Sequence, residues 1–207
     1  MIAIIDYDAG NIRSVEKALQ YLGEEVIVTR KREEILQADK VILPGVGAFG
    51  DAMEKIRSYG LEEIIHEVVN RKTPFLDICL GLQLLFEESE ESPGVKGLGI
   101  LQGKIVKIPD QNGTLKIPQI GWNSLQFPNK GKLYEGTAEG SYVYFVHSYY
   151  LQAEDPSIVV ATTEYGVNIH ASVEKDNVFA CQFHPEKSST VGLKILDNFI
   201  HLGKEEA

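Results

Sequence analysis

Apolar and polar positions fall into alternating blocks along the first half of the chain. Short apolar runs at Ile2 to Asp6, Val26 to Thr29, Lys40 to Leu43 and Pro74 to Ile78 predict strands. Between them Ile12 to Leu22, a short segment near Glu33 to Leu36, and the stretch from Asp51 to Asn70 carry helical spacing, the last broken at Gly60. Strand and helix in alternation predict an α/β fold, with a mostly parallel central sheet and helices on both faces. Ligands collect at the carboxyl ends of such strands. Asp6 to Asn11, Pro44 to Gly50 and Cys79 each follow a strand, so all three should meet at one edge.

The second half reads differently. Runs at Ile100 to Ile108, Tyr142 to Val146, Ile158 to Thr163, Ile169 to Glu174 and Val178 to Phe183 predict strands, several divided by turns such as Gln111-Asn112-Gly113 and Lys175-Asp176-Asn177. Some of these should pair antiparallel. Thr190 to His201 places Val191, Ile195, Leu196 and Phe199 on one face and predicts an amphipathic helix over the sheet. The acidic run from Glu87 to Ser92 reads as a solvated loop with no chemistry of its own.

Composition narrows the picture. With 207 residues, 43% of them hydrophobic, the chain can bury one substantial core, and no linker-like stretch divides it, so residues 1–207 read as a single domain. Thirty acidic against twenty basic residues give a net charge of -10, which opposes the phosphate neutralisation that nucleic-acid binding needs. The run Ile2 to Ile5 is too short for a signal peptide and no window reaches the length of a membrane span. Two cysteines and no export signal fit a cytoplasmic protein better than a disulfide framework.

Candidate chemistry centres on Cys79. The strand-like run Phe75 to Ile78 stops at this residue and a helix-like run, Leu80 to Phe86, begins directly after it. A thiol there meets the unpaired N–H groups and positive potential of a helix start, which favour thiolate, and Gly81 clears the tight turn. The layout parallels the serine elbow of α/β hydrolases. Taken alone it also fits a small core residue. A second segment, Phe183-His184-Pro185-Glu186, can supply a base and the carboxylate that orients it from one short loop, although a lone His there also fits an ordinary surface loop. Cys181, within a strand-like run, reads as a buried structural thiol.

Together with Pro44-Gly45-Val46-Gly47, these segments resemble the class I (triad) glutamine amidotransferases, whose signatures are a cysteine elbow and a late His-Pro-Glu. Further blocks narrow the resemblance to the glutaminase subunits of imidazole glycerol phosphate synthases: Asp6 to Val15, Pro118-Gln119-Ile120-Gly121-Trp122-Asn123, Tyr144-Phe145-Val146-His147-Ser148-Tyr149 and His184 to Ser188. The blocks run from residue 6 to residue 188, nearly the whole chain.

The resemblance implies that Cys79 attacks glutamine, that His184 shuttles protons and that Glu186 orients His184. It implies an oxyanion loop at Gly45, Val46 and Gly47, and glutamine recognition by Gln83, Ser148 and Tyr149. No metal and no cofactor is implied. The implied partner is a cyclase subunit with a (β/α)8 barrel, forming a heterodimer and receiving ammonia, with Asn11, Arg13, Trp122, Asn123, Tyr144 and Lys187 at the interface and channel exit. An aromatic anchor suits such an interface, although a lone Trp also suits a core. The family pattern has Gly two positions before the cysteine, where this chain has Asp77. A carboxylate there should disfavour the thiolate unless it points away or meets a cation. Two other readings stay open on sequence alone: a triad amidotransferase of another biosynthetic pathway, and a catalytically impaired subunit that only binds and regulates.

Overall fold

The computed structural model describes residues 1–8 and 11–203; Ala9 and Gly10 of the first motif lie outside the described residues. The first half builds β1 (Ile2–Ile5), α1 (Ile12–Tyr21), β2 (Val26–Thr29), α2 (Arg32–Gln37), β3 (Lys40–Gly45), α3 (Phe49–Ser58), α4 (Leu61–Asn70), β4 (Phe75–Cys79) and α5 (Leu80–Leu84). The second half adds β5 (Glu88–Ser89), β6 (Gly103–Lys107), β7 (Gln119–Ser124), β8 (Tyr142–His147), β9 (Tyr149–Ala153), β10 (Val159–Glu164), β11 (Asn168–Lys175), β12 (Val178–Cys181) and α6 (Ser189–His201).

One sheet runs in the order β2-β1-β3-β4-β12-β11-β9-β6-β5, with β10 paired to β11. From β2 to β12 its strands are parallel; β11, β9 and β6 continue it antiparallel. The parallel strands are predominantly apolar because both faces are covered, with Asp77 of β4 as the buried ionisable exception in their interior. Along β1, Ala3 and Ile5 pack with residues of α2, α3, α4 and α5, whereas Ile2 and Ile4 pack with Val15 and Leu19 of α1 and with Ile195, Leu196 and Phe199 of α6. The period-two pleat sends alternate side chains to the two helical layers.

Gly60 ends the helix pattern where expected, at φ +65°, and Asp176, at φ +55°, turns β11 into β12. Elsewhere the structure corrects the sequence pattern. The helical run after Cys79 ends at Leu84 instead of continuing to Phe86. The acidic segment contributes β5, because Ser89 is buried beside β6. The Gln111-Asn112-Gly113 turn joins no hairpin; β6 pairs with β9 instead. The Gly-Trp-Asn block forms a strand, β7, that pairs with β8 as a separate ribbon. Its mixed exposure and central Gly121 give no apolar run to read.

Candidate active site

Three neighbouring parallel strands end at the site. In the register, Gly45 of β3 lies beside Cys79 of β4, and Ile78 beside Cys181 of β12, so the segment leading to His184 leaves the sheet next to Cys79. Cys79 itself holds φ +58° and ψ -107°, a backbone conformation that costs a non-glycine residue about 1–3 kcal/mol. The strain is maintained by tight packing around it. A Cβ on Gly81 would sit 2.2 Å from the Leu43 carbonyl oxygen, and one on Gly45 would sit 2.8 Å from the Gly81 nitrogen. Gly47, at φ +100°, has open space around it and is needed for its backbone angle alone.

His184 Nδ1 lies 2.8 Å from Glu186 Oε1 across the 3-10 turn Pro185–Lys187, which leaves Nε2 toward Cys79. Burial opposes a charge on the imidazole, but hydrogen bonding and the fields of Cys79 and Glu186 prevail and raise it from 6.5 to about 10. The arrangement therefore favours a protonated imidazole beside the Cys79 sulfur. Ser188, fully buried, locks the loop: its Oγ donates to the His184 carbonyl at 2.6 Å and accepts from the Tyr144 N–H at 3.0 Å. The His184 N–H donates to the Tyr144 carbonyl at 2.9 Å, tying the base to β8. Asn11, expected at an interface, also reaches Glu186 Oε1, at 3.5 Å.

Cys79 and His184 open into a cavity of about 320 Å³ whose walls include Val46, Gly47, Gln83, Ser148, Tyr149 and Lys187. The structure thus brings together the expected nucleophile, base, glycine turn and recognition residues. Glu91 and His147 line the same cavity and were not picked out in the sequence. Glu91 Oε2 accepts from the Phe49 N–H at 2.8 Å at the start of α3, which holds one carboxylate of the acidic run at the cavity wall. His147 has Nδ1 2.8 Å from the Tyr149 carbonyl and Nε2 2.8 Å from the Gln119 side-chain amide. Burial pushes it down to about 4, and as a neutral ring it donates from Nδ1 to the carbonyl and accepts at Nε2 from the Gln119 N–H2, a brace for the Ser148–Tyr149 turn. Its place in the Tyr144 to Tyr149 block was the only signal available in the sequence.

Asp77 is fully buried, and neither carboxylate oxygen has a hydrogen-bond partner. The pleat turns it with Phe75 toward the α5 layer, under Gly81 and away from the pocket. Burial pushes its pKa well above the ordinary carboxylate range. Burial disfavours its charged form and its side chain points away from the pocket, which relieves the expected electrostatic conflict with Cys79 without the cation that the sequence left open. Cys181 is likewise buried, and burial raises its thiol well above the ordinary value.

Arg13 is exposed, as are Lys187 and Trp122, the last at 52%, so the tryptophan is not a core residue. Trp122 pairs with Tyr144 in register and packs edge-to-face on it at 6.0 Å. Ile120 and Tyr142 are exposed on the same ribbon, and Val46 is exposed at the pocket rim. Asn123 donates to the Glu164 carbonyl at 2.8 Å, which directs its amide into the fold. Among the described residues no cluster of His, Cys, Asp or Glu is suited to a metal ion, and no helix is long and apolar enough to cross a membrane.

Residues 3–202 match the family of class-I glutamine amidotransferases. The chain is 52% identical over 202 residues to imidazole glycerol phosphate synthase subunit HisH of Methanocaldococcus jannaschii, covering 98% of this chain and 100% of that protein. It is 49% identical over 209 residues to the HisH subunit of Bacillus subtilis, covering 100% of this chain and 98% of that protein. Among solved structures, a glutamine amidotransferase superposes with a TM-score of 0.75 at 21% identity over 98% of both chains. The glutaminase domain of Trypanosoma brucei CTPS, with bound acivicin, superposes with a TM-score of 0.71 at 16% identity, covering 100% of this chain and 94% of that one. At such identities the structures speak for the fold alone, whereas the sequence matches span the full set of motifs. The chain belongs to the class-I glutamine amidotransferase family, in the branch formed by the HisH subunits of imidazole glycerol phosphate synthase.

Proposed function

We propose that the chain hydrolyses glutamine to glutamate and ammonia and delivers the ammonia to a cyclase, which makes imidazole glycerol phosphate and aminoimidazole carboxamide ribotide in histidine biosynthesis. The observation that carries this reading is the Cys79, His184 and Glu186 constellation at the mouth of one cavity, in a chain of the HisH branch. The Cys79 thiolate attacks the carboxamide carbon and forms a tetrahedral oxyanion. Backbone N–H groups after Cys79 and in the Gly45–Gly47 turn are the donors for that oxygen. As the C–N bond breaks, the His184 imidazolium gives its Nε2 proton to the departing ammonia, leaving a glutamyl thioester. Water, deprotonated by His184, attacks the thioester and restores Cys79.

Recognition of glutamine follows from the lining. Both amide hydrogens of Gln83 are used, toward the Tyr149 carbonyl at 3.1 Å and Gln182 Oε1 at 2.9 Å, which leaves its own oxygen as an acceptor for the substrate. Glu91 and Lys187 offer opposite charges for the α-ammonium and α-carboxylate of glutamine, and Ser148 and Tyr149 add a turn between them. The reading of residues 1–207 as one domain is supported by the sheet, in which β12 returns from the second half to pair with β4 of the first.

The partner reading is a cyclase with a (β/α)8 barrel, assembled with this chain as a cytoplasmic heterodimer. The exposed Ile120, Trp122, Tyr142 and Val46 support a docking face beside the cavity, with Arg13 and Lys187 contributing charge. Replacing Cys79 by Ser in the complex tests the whole scheme. Glutamine-dependent synthesis should be lost and synthesis from added ammonium salts retained; equal loss of both would refute the assignment of Cys79.

A further inference from the structure

Next to Cys79 lies a buried amide, Gln182, whose contact with the sulfur the scheme above does not use. Gln182, the residue after β12, is completely buried, and its Nε2 lies 3.8 Å from Cys79 Sγ, within reach of a donor to sulfur. Its Oε1 accepts from Gln83 Nε2 at 2.9 Å, and Gln83 Nε2 also donates to the Tyr149 carbonyl at 3.1 Å. A backbone carbonyl can only accept, so it fixes which end of the Gln83 amide is nitrogen. That choice fixes the Gln182 amide in turn, with its oxygen toward Gln83 and its N–H2 toward the sulfur. The order of the three groups admits one orientation for both side chains. Near the sulfur, the Val146 carbonyl lies 3.9 Å away, a group able to accept from a thiol but not to assist a thiolate.

We propose that Gln182 is a hydrogen-bond donor to the Cys79 thiolate, oriented for that task by Gln83 and the Tyr149 carbonyl. The proposal rests on Cys79 being the nucleophile. It adds to the His184 imidazolium a second, neutral donor, supplied by the strand neighbouring Cys79. A donor to an ionised group is about twice as strong as a neutral pair, and at a buried site no water replaces it when it is removed. The orienting carbonyl belongs to the turn that also lines the glutamine pocket, so a displaced Tyr149 would loosen the donor without touching the sulfur.

The test is the pH dependence of Cys79 alkylation by iodoacetamide in the full chain, read by mass spectrometry. Gln182→Met keeps the length and removes the donor. It should move the midpoint upward by about one pH unit and slow alkylation at neutral pH about tenfold. Gln83→Met leaves Gln182 in place, removes what orients it, and should move the midpoint in the same direction by less. Ammonium-dependent synthesis by the complex should be unchanged in Gln182→Met, which shows that the variant folds and docks. If Gln182→Met fails to fold, the Gln83→Met profile decides the matter. Profiles that coincide with the parent in folded variants would overturn the proposal. Failure of Cys79 alkylation to abolish glutaminase activity would instead overturn the assignment of the nucleophile.

Discussion

Gly45 and Cys79 are register partners on adjacent parallel strands, so the glycine turn and the proposed nucleophile are joined by the sheet itself. A shift of one displaces the other. Gly47, two residues on, is free of that ladder and its φ of +100° lies in open space. The rigid part of the glycine turn and its adjustable part are therefore two residues apart.

Gly81→Ala and Gly47→Ala should separate packing from conformation. The first places a methyl 2.2 Å from a carbonyl oxygen and should cost about 3 kcal/mol of stability, measured by urea unfolding. The second meets nothing and should cost only about 1 kcal/mol, through its backbone angle, while reducing glutaminase activity more than stability. Equal stability losses would argue against this division.

Glu186→Gln should keep the fold and lower glutaminase turnover by at least about a hundredfold, because the imidazole loses the partner that fixes its tautomer and favours its charge. The pH–rate profile should also shift, because Glu186 is, after Cys79, the second group that raises His184. Ammonium-dependent synthesis by the complex is the control and should not change.

Asp77→Asn tests the buried carboxyl. A group whose folded-state pKa is raised contributes stability that is fully present below its unfolded value, near 3.8, and is lost as pH rises toward the folded value. The amide has no such loss. The variant should therefore melt a few degrees above the parent at neutral pH, with the advantage shrinking toward pH 4. Because burial disfavours the charge and the carboxyl points away from the pocket, the pH profile of Cys79 alkylation should not move; a shift to lower pH would show that Asp77 carries charge beside the thiol.

Cys79 should be alkylated far faster than Cys181 in limited iodoacetamide treatment. Cys79 opens into the cavity, whereas Cys181 is fully buried in β12 with burial disfavouring its thiolate. Peptide mass spectrometry gives the ratio, and preferential labelling at Cys181 would reverse the roles.

The isolated chain should hydrolyse glutamine slowly, and the cyclase with its nucleotide should stimulate it about a hundredfold. One oxyanion donor is worth about 3 kcal/mol, or roughly two orders of magnitude in rate. A Gly47 peptide that turns its N–H inward only on docking would supply that donor. Steady-state assays of the lone subunit, then with cyclase, then with cyclase and nucleotide, measure the effect; full activity of the lone subunit would refute it.

Much of this was legible in the sequence because the parallel strands are apolar on both faces and the cysteine stands where one of them ends. Chain order alone placed Gly45, Cys79 and His184 at strand ends, and the sheet order then made them neighbours. The β7 and β8 ribbon was only half legible: Trp122 and Ile120 point outward, so β7 shows no apolar run. Glu91 was hidden within an acidic segment whose local pattern says only that it is polar. Gln182 was hidden for the opposite reason, as an amide inside an apolar strand end whose partners, Gln83 and Cys79, lie about a hundred residues away in the sequence. The shifts of His147 and Asp77 come chiefly from burial, which no local pattern reports.

The chain's sole tryptophan stands half in water on the ribbon beside the cavity. Its indole emission is thus a built-in reporter of what covers that face. In the lone chain the emission should be red-shifted and readily quenched by iodide or acrylamide. Titration with a tryptophan-free cyclase should move it to the blue and protect it from the quencher, giving an assembly isotherm without any attached dye.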